Sequence, residues 1–235
     1  MIFQPKAIFF DWDHTLWDHD RNSQEVIFEL VEEFGLDKQS PLSISSIWDI
    51  YQQINTALWD DYQMGLISQS DLRESRFLRF FDAIEVQGPA EEFSEQFLFR
   101  TPRKTHLMEG AKELVEAISE HYPLYILTNG FEDIQHIKVA SSGLGHHFKE
   151  LITSQGVGAK KPEIAFFEYA LGRANCSAQE ALMVGDNWHA DIHGANQAGI
   201  PAIHYNLSDA SEAIWQISDL KQVKNHLEIY SNKDN

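Results

Sequence analysis

Short apolar segments that alternate with helical patterns constrain the fold of this chain more than any other feature. The segment at residues 7–10 reads Ala-Ile-Phe-Phe, which is long enough for one buried strand. From residue 107 onwards, further segments of this kind alternate with amphipathic helical patterns. The alternation predicts an α/β fold with a Rossmann-like parallel sheet and helices on both of its faces. The predicted strands lie at residues 7–10, 124–127, 151–152, 181–184, 201–204 and 215–217, and the predicted helices of this part at 110–121, 131–142, 162–174, 189–198 and 219–230.

The long stretch between the first two predicted strands carries helical patterns alone. Four consecutive helices joined by short loops indicate an up-and-down four-helix bundle; they span residues 22–34, 43 or 45 to 64, 68 or 70 to 86, and 90–100. We therefore expect two domains, a core formed by residues 1–17 and 101–235 and an inserted helical domain formed by residues 18–100. The insertion is rich in aromatic side chains, and their helical spacing favours bundle core over stacking on a ligand base. They are Trp48, Tyr51, Trp59, Tyr62, Phe77, Phe80 and Phe81.

The charge of the chain restricts the partners that it can bind. Aspartate and glutamate number 36 against 18 lysines and arginines, which gives a formal net charge of −18. Such a surface repels nucleic-acid backbones and anionic membranes, so we expect no nucleic-acid polymer and no membrane among the partners. One cysteine, no signal-peptide pattern and no long apolar run are consistent with a cytoplasmic protein, which we expect to be a monomer or a dimer.

Two aspartates directly follow the first predicted strand. Asp11 and Asp13 are two residues apart, so in an extended chain their side chains project to the same side. Adjacent carboxylates repel each other, and a hard divalent cation such as Mg²⁺ relieves that repulsion. The alternative is a simple polar turn, because aspartate is common in turns.

Other polar groups follow later predicted strands. Thr128 and Asn129 end the strand at 124–127, and Asp186 follows the strand at 181–184 with Asp191 in the next helix. Lys160 and Lys161 precede a predicted helix, so one of the two lysines could reach the same crevice. Ligands of open α/β sheets bind at the carboxyl ends of the strands, where these groups should meet. Each motif alone fits an ordinary turn or loop, but together they indicate phosphoryl transfer: a nucleophile, a metal site, a phosphate-binding loop and a neutralising charge.

These motifs resemble those of the haloacid dehalogenase-like hydrolase superfamily, and the resemblance covers nearly the whole chain. The helical insertion stands where that family has its C1 cap. His14 stands where glycine is common in the family, and the role of His14 is open. The stretch Asp-His-Thr-Leu-Trp-Asp is most similar to a branch of 5′-nucleotidases that act on pyrimidine and noncanonical nucleoside monophosphates. The four matching motifs are Asp11-Trp12-Asp13-His14-Thr15-Leu16, Thr128-Asn129, Lys161-Pro162 and Gly185-Asp186 with Asp191.

The resemblance implies a small phosphate ester as the substrate and Mg²⁺ as the cofactor. Asp11 would be the nucleophile and form an aspartyl phosphate. Asp13 would protonate the leaving alkoxide and then deprotonate the attacking water. The metal ligands would be the Asp11 carboxylate, the Asp13 main-chain carbonyl and Asp186.

The same resemblance implies supporting roles for the remaining motif residues. Thr128 and Asn129 would bind phosphate oxygens, and Lys161 would balance the charge. Asp191 would orient Lys161 or a metal-bound water, and Thr15 would brace the loop after the first strand.

Several alternatives to a nucleotidase stay open. A phosphoglycolate or sugar phosphatase and a β-phosphoglucomutase-like enzyme would keep the same motifs. A haloacid dehalogenase needs neither metal nor an aspartate at position 13, and a non-catalytic binding protein would typically have lost a motif carboxylate. His189 and His193 have the spacing of a zinc pair, but the glutamate that accompanies such a pair is absent.

Overall fold

A computed structural model describes residues 4–205 and 215–227 of the chain. The chain divides into two compact units, an α/β unit of residues 1–19 and 104–235 and a helical unit of residues 20–103. No helix in the described ranges is long and apolar enough to cross a bilayer.

The α/β unit is built on a six-stranded parallel sheet with the strand order β3-β2-β1-β4-β5-β6. Strand β1 lies between β2 and β4, with Phe10 opposite Ile126 on one side and Val184 on the other. The α/β fold class is thus confirmed. The strands are β1 Ala7–Phe10, β2 Leu124–Thr128, β3 Phe148–Thr153, β4 Ala181–Gly185, β5 Ala202–Tyr205 and β6 Trp215–Ile217.

The helical unit consists of four long helices and one short one. The four predicted helices are present, and the sequence analysis missed the short α2. Ser43 accepts a hydrogen bond from the Ser46 N–H at the start of α3, and Ser68 forms a capping box with Asp71 at the start of α4. The helices are α1 His19–Glu33, α2 Leu36–Gln39, α3 Ile44–Gln63, α4 Gln69–Ala83 and α5 Ala90–Arg100.

Aromatic side chains form much of the core of the helical unit. Tyr51 stacks between Trp48 and Phe77, with ring centroids 5.4 and 6.0 Å apart. Phe80 and Phe81 are also buried, so the interpretation of these five rings as core is confirmed. Trp59 and Tyr62 are only partly buried and pack edge to face against each other.

Helices cover both faces of the sheet. Successive residues of β1 point to opposite faces, so Ile8 packs in one apolar cluster with α6 while Phe9 packs in another with α9. A strand covered on both sides needs apolar residues throughout, which is why β1, β2, β4 and β5 are buried along their length. The helices of this unit are α6 Ala111–Ser119, α7 Glu132–Ser141, α8 Ser154–Val157, α9 Ile164–Ala174 and α10 Gly194–Gln197.

The segments on either side of residues 20–103 pair with each other within the α/β unit. Trp17 and Leu107 form an antiparallel bridge. The Asp18 N–H donates to the His106 carbonyl at 3.1 Å, and the Met108 N–H donates to the Leu16 carbonyl at 3.0 Å. The chain therefore leaves and rejoins the α/β unit at one closed stem.

Two of the predicted helices differ from a regular α-helix. The segment predicted as a helix at 189–198 begins with a π-helical turn, Trp188–His193, in which the Asn187 carbonyl accepts from the N–H groups of both Asp191 and Ile192. The helix predicted at 219–230 is a 3₁₀ helix, Leu220–His226, because its hydrogen bonds span three residues; residues 228–230 lie outside the described ranges.

Candidate active site

The carboxyl ends of β1, β2 and β4 bring the predicted site residues to one edge of the sheet. Asp11 directly follows β1, and its N–H donates to the Val184 carbonyl of β4 at 2.9 Å. Thr128 ends β2, and Asp186 follows β4. The parallel pairing of these three strands places groups that are distant in sequence at neighbouring strand ends.

Lys161 is the centre of the site. Its side chain is only 3 % exposed, and its Nζ donates to Asp11 Oδ1 at 2.6 Å, to Asp191 Oδ1 at 2.7 Å and to the Leu127 carbonyl at 2.8 Å. Burial alone would lower the pKa of Lys161, but Asp11 and Asp191 raise it above its usual value. The lysine is therefore a fixed positive charge against Asp11.

Asn129 holds the backbone of Lys161. Its Nδ2 donates to the Lys161 carbonyl at 2.9 Å, and its Oδ1 accepts from the Lys161 N–H at 2.9 Å. Both polar atoms of the amide are thus engaged, so in this structure Asn129 positions Lys161, whereas the sequence analysis predicted it as a phosphate ligand. The neighbouring Thr128 hydroxyl accepts from the Gly130 N–H at 3.0 Å.

Asp191 is buried beside Lys161 and Gly185. Its Oδ1 accepts from Lys161, and its Oδ2 accepts from the Asn187 N–H at 3.0 Å. A Cβ on Gly185 would lie 2.4 Å from Asp191 Oδ2, so only glycine fits at that strand end. Asp191 therefore contacts the Lys161 side chain directly in this structure.

Thr15 links the loops that follow β1 and β4. Its fully buried hydroxyl lies 2.9 Å from Asp186 Oδ1 and 3.2 Å from Asp11 Oδ2, and it accepts from the Asp186 N–H at 3.1 Å. One hydroxyl proton can serve only one of the two carboxylates at a time. The Thr15 hydroxyl thus connects the loop after β1 to the loop after β4.

The carboxylates of the site fit a divalent cation. One oxygen from each of Asp11, Asp186 and Asp191 lies within 4.8 Å of the others. Burial raises the pKa of Asp11 and the pKa of Asp186, each to about 6, and the opposing charge of Lys161 does not reverse either shift. Three carboxylates face one lysine, so the cluster carries excess negative charge and offers only oxygen donors, as Mg²⁺ requires. Both oxygens of Asp191 accept from N–H donors, whereas Asp11 Oδ2 and Asp186 Oδ1 share the single hydroxyl proton of Thr15, so Asp11 and Asp186 are the better ligands.

The Asp13 carboxylate is held by helix α7. Lys138 Nζ donates to Asp13 Oδ1 at 2.6 Å, and Gln135 Nε2 donates to Asp13 Oδ2 at 2.6 Å. Burial would raise the pKa of Asp13, but Lys138 and His19 hold it below its usual range. Burial lowers the pKa of His19 to about 4, and its Nδ1 lies 3.6 Å from Asp13 Oδ1.

Sequence reasoning missed Gln135 and Lys138. One signal could have found them: the two polar residues are three apart in the helix that follows Thr-Asn-Gly, so they share a helix face. The sequence had also left the role of His14 open. The φ of His14 is +65°, the left-handed region that favours glycine, and its ring centroid lies 4.9 Å from that of His19.

His189 and His193, which have the spacing of a zinc pair in the sequence, lie on the surface. Both are exposed, and their rings stack with centroids 5.8 Å apart. The cluster of possible metal ligands consists of Asp11, Asp186 and Asp191, and neither of these two histidines belongs to it.

The chain is similar to a known protein family and to two relatives over most of its length. Residues 5–199 match the family model of haloacid dehalogenase-like hydrolases. The chain is 33% identical over 204 residues to pyrimidine 5′-nucleotidase PynA of Streptococcus pneumoniae, which covers 86% of this chain and 84% of the relative. It is 31% identical over 223 residues to pyrimidine 5′-nucleotidase YjjG of Escherichia coli, with 92% and 95% covered.

A solved structure supports the fold. The HAD-hydrolase YfnB of Bacillus subtilis, crystallised with magnesium, superposes with a TM-score of 0.84 over 97% of this chain and 99% of that one. At 24% identity this similarity concerns the fold alone.

Proposed function

Because this chain belongs to the haloacid dehalogenase-like hydrolase family, we propose that it is a Mg²⁺-dependent phosphomonoesterase that acts on nucleoside 5′-monophosphates. The observation that carries the chemistry is the buried ion pair of Lys161 with Asp11, set beside Asp186 at the end of the sheet. A carboxylate held at a strand end by a fixed cation is suited to attack an anionic phosphoryl group.

The reaction would proceed in two steps. A carboxylate oxygen of Asp11 attacks phosphorus, the bond from phosphorus to the ester oxygen breaks, and that oxygen takes a proton from Asp13. Water then attacks the aspartyl phosphate, gives a proton to Asp13 and releases phosphate and free Asp11. Lys138 and Gln135 hold the Asp13 carboxyl group in the structure, and the first step requires Asp13 to take up a proton beforehand.

The remaining residues bind and orient. Lys161 offsets the negative charges of the Asp11 carboxylate and of the phosphoryl oxygens that approach it, and Asp191 and Asn129 hold the lysine in place. Thr128, at the end of β2, would contribute a hydroxyl to the phosphate. Asp11 and Asp186 would hold Mg²⁺, which when bound neutralises negative charge on the phosphoryl group.

The proposed substrate class rests on the relatives. Two proteins that match this chain over most of their length are pyrimidine 5′-nucleotidases. We therefore expect a higher kcat/KM for pyrimidine nucleoside 5′-monophosphates than for hexose phosphates or phosphoglycolate.

The test is phosphate release by the purified protein from UMP, CMP, a hexose phosphate, phosphoglycolate and p-nitrophenyl phosphate. Activity should be absent in EDTA and return with Mg²⁺. If phosphoglycolate or a hexose phosphate is preferred to every nucleotide, the substrate class is wrong while the chemistry stands. Full activity in metal-free buffer would contradict the phosphatase mechanism itself.

A further inference from the structure

Two side chains of helix α7 contact the Asp13 carboxylate, one on each oxygen. Lys138 and Gln135 are 4 % and 1 % exposed, and each donor lies 2.6 Å from its oxygen. Hydrogen bonds to both oxygens of one carboxylate fix its rotation as well as its position.

The two donors are themselves held in place. Lys138 Nζ lies 4.2 Å from the centre of the Trp17 ring, and the buried Trp17 donates from its Nε1 to the Lys104 carbonyl at 3.2 Å. Gln135 packs directly on Gly130, where a Cβ would lie 1.9 Å from Gln135 Nε2. Both donors are therefore buried against a neighbouring residue, which restricts their movement and preorganises the contact.

Burying Lys138 needs a reason beyond packing. A buried ammonium is unfavourable compared with an apolar side chain of similar size unless it is paired. Among the described residues, the carboxylate paired with Lys138 is Asp13, a proposed proton carrier of the reaction. The charge is therefore directed at a reacting group.

We propose that Lys138 and Gln135 are positioning residues that fix the Asp13 carboxyl group for transferring its proton to the leaving oxygen of the ester. The inference rests on the proposed function, and it concerns the first step only. As the bond from phosphorus to the ester oxygen breaks, the electron pair goes to that oxygen, and the proton moves to it from Asp13. Without the hydrogen bonds from Lys138 and Gln135, the Asp13 carboxyl group would rotate and the alkoxide would leave unprotonated.

The dependence on the leaving group separates this role from a structural one. The p-nitrophenolate ion is stable without a proton, whereas the alkoxide of a nucleoside is not. Because kcat/KM reports the steps up to departure of the alcohol, a misplaced Asp13 should affect the nucleotide far more than the aryl ester. A general folding defect would lower both values by the same factor.

The experiment compares Lys138→Met, Lys138→Arg and Gln135→Leu with the wild type and with Asp13→Ala, on the best nucleotide and on p-nitrophenyl phosphate. Lys138→Met should lower kcat/KM for the nucleotide by roughly tenfold or more, since general acid catalysis contributes at least that much to the rate. For the aryl ester, the same substitution should lower kcat/KM by less than about threefold. Gln135→Leu should shift the same ratio in the same direction. Lys138→Arg keeps the charge and should recover part of the loss. Lys149→Met, the same substitution at an exposed lysine of β3, is the matched control.

A double variant completes the test. In an Asp13→Ala background, Lys138→Met should cause no further loss on the nucleotide, because its partner is gone. Additive losses, or equal losses on both esters, would overturn the inference. Failure of the proposed function would look different: the wild type would then hydrolyse neither ester with Mg²⁺.

Discussion

Lys161→Met should destabilise the metal-free protein more than any single surface change. The substitution removes the cation that contacts Asp11 and Asp191 at 2.6 and 2.7 Å and leaves two buried carboxylates without it. Removing one partner of a buried ion pair typically costs about 3–5 kcal/mol.

Protonation limits this cost, and the limit depends on pH. Either carboxyl group can take up a proton instead. The ordinary pKa of an aspartate is 3.8, and each pH unit above it costs about 1.36 kcal/mol, so protonation at pH 7 costs about 4.4 kcal/mol. At pH 5 the same proton costs about 1.6 kcal/mol. A carboxyl whose pKa is raised in the folded state destabilises that state above the unfolded pKa. The defect of Lys161→Met should therefore grow as the pH rises from 5 to 7.

The assay is urea unfolding in EDTA, followed by tryptophan fluorescence at both pH values. Lys160→Met is the control, because Lys160 is adjacent in sequence and has a side chain of the same length. We expect a loss of about 3–4 kcal/mol at pH 7 for Lys161→Met and less than about 1 kcal/mol for Lys160→Met. A loss below about 1 kcal/mol for Lys161→Met, or one that is equal at the two pH values, would refute the reasoning.

Two further predictions concern the acidic cluster. Asp11→Asn should lower turnover by several orders of magnitude without unfolding the protein, since an amide cannot form the acyl phosphate; steady-state kinetics with circular dichroism would check this, and near-normal turnover would show that Asp11 is not the nucleophile. Affinity for Mg²⁺ should rise as the pH increases from 5 to 7 and then level off, because Asp11 and Asp186, each with a pKa of about 6, must lose their protons to bind the cation. Calorimetric titration at several pH values would measure it, and an affinity independent of pH over that range would contradict the assignment.

The sequence predicted those parts of the site that stand next to strands. Asp11, Thr128 and Asp186 each follow an apolar segment, and parallel strands bring their carboxyl ends together whatever the details of the helices. Lys161 was predicted in preference to Lys160 because it precedes Pro162 as in the family's third motif, and in the structure its Nζ lies 2.6 Å from Asp11 Oδ1.

Contacts made across helices could not be predicted in the same way. Gln135 and Lys138 reach Asp13 over 122 and 125 residues of sequence, and that approach depends on how α7 packs beside β1. The amide of Asn129 could equally have faced a ligand, and only the fold shows that it binds the backbone of Lys161. The π-helical turn at Trp188–His193 has no periodicity of its own in the sequence, so it was predicted as an ordinary helix.

The closed stem formed by Trp17 and Leu107 has a consequence for how such a chain can diversify. Because Trp17 and Leu107 pair, the inserted residues form a loop whose two ends meet in the α/β unit. The free energy of closing such a loop depends only weakly on its length. Doubling the number of inserted residues would add only about 0.6 kcal/mol. The helical unit can therefore be lengthened, shortened or replaced over evolutionary time without disturbing the pairing of β1 with its neighbours. One hydrolytic centre can in this way be inherited intact by proteins whose insertions have little in common.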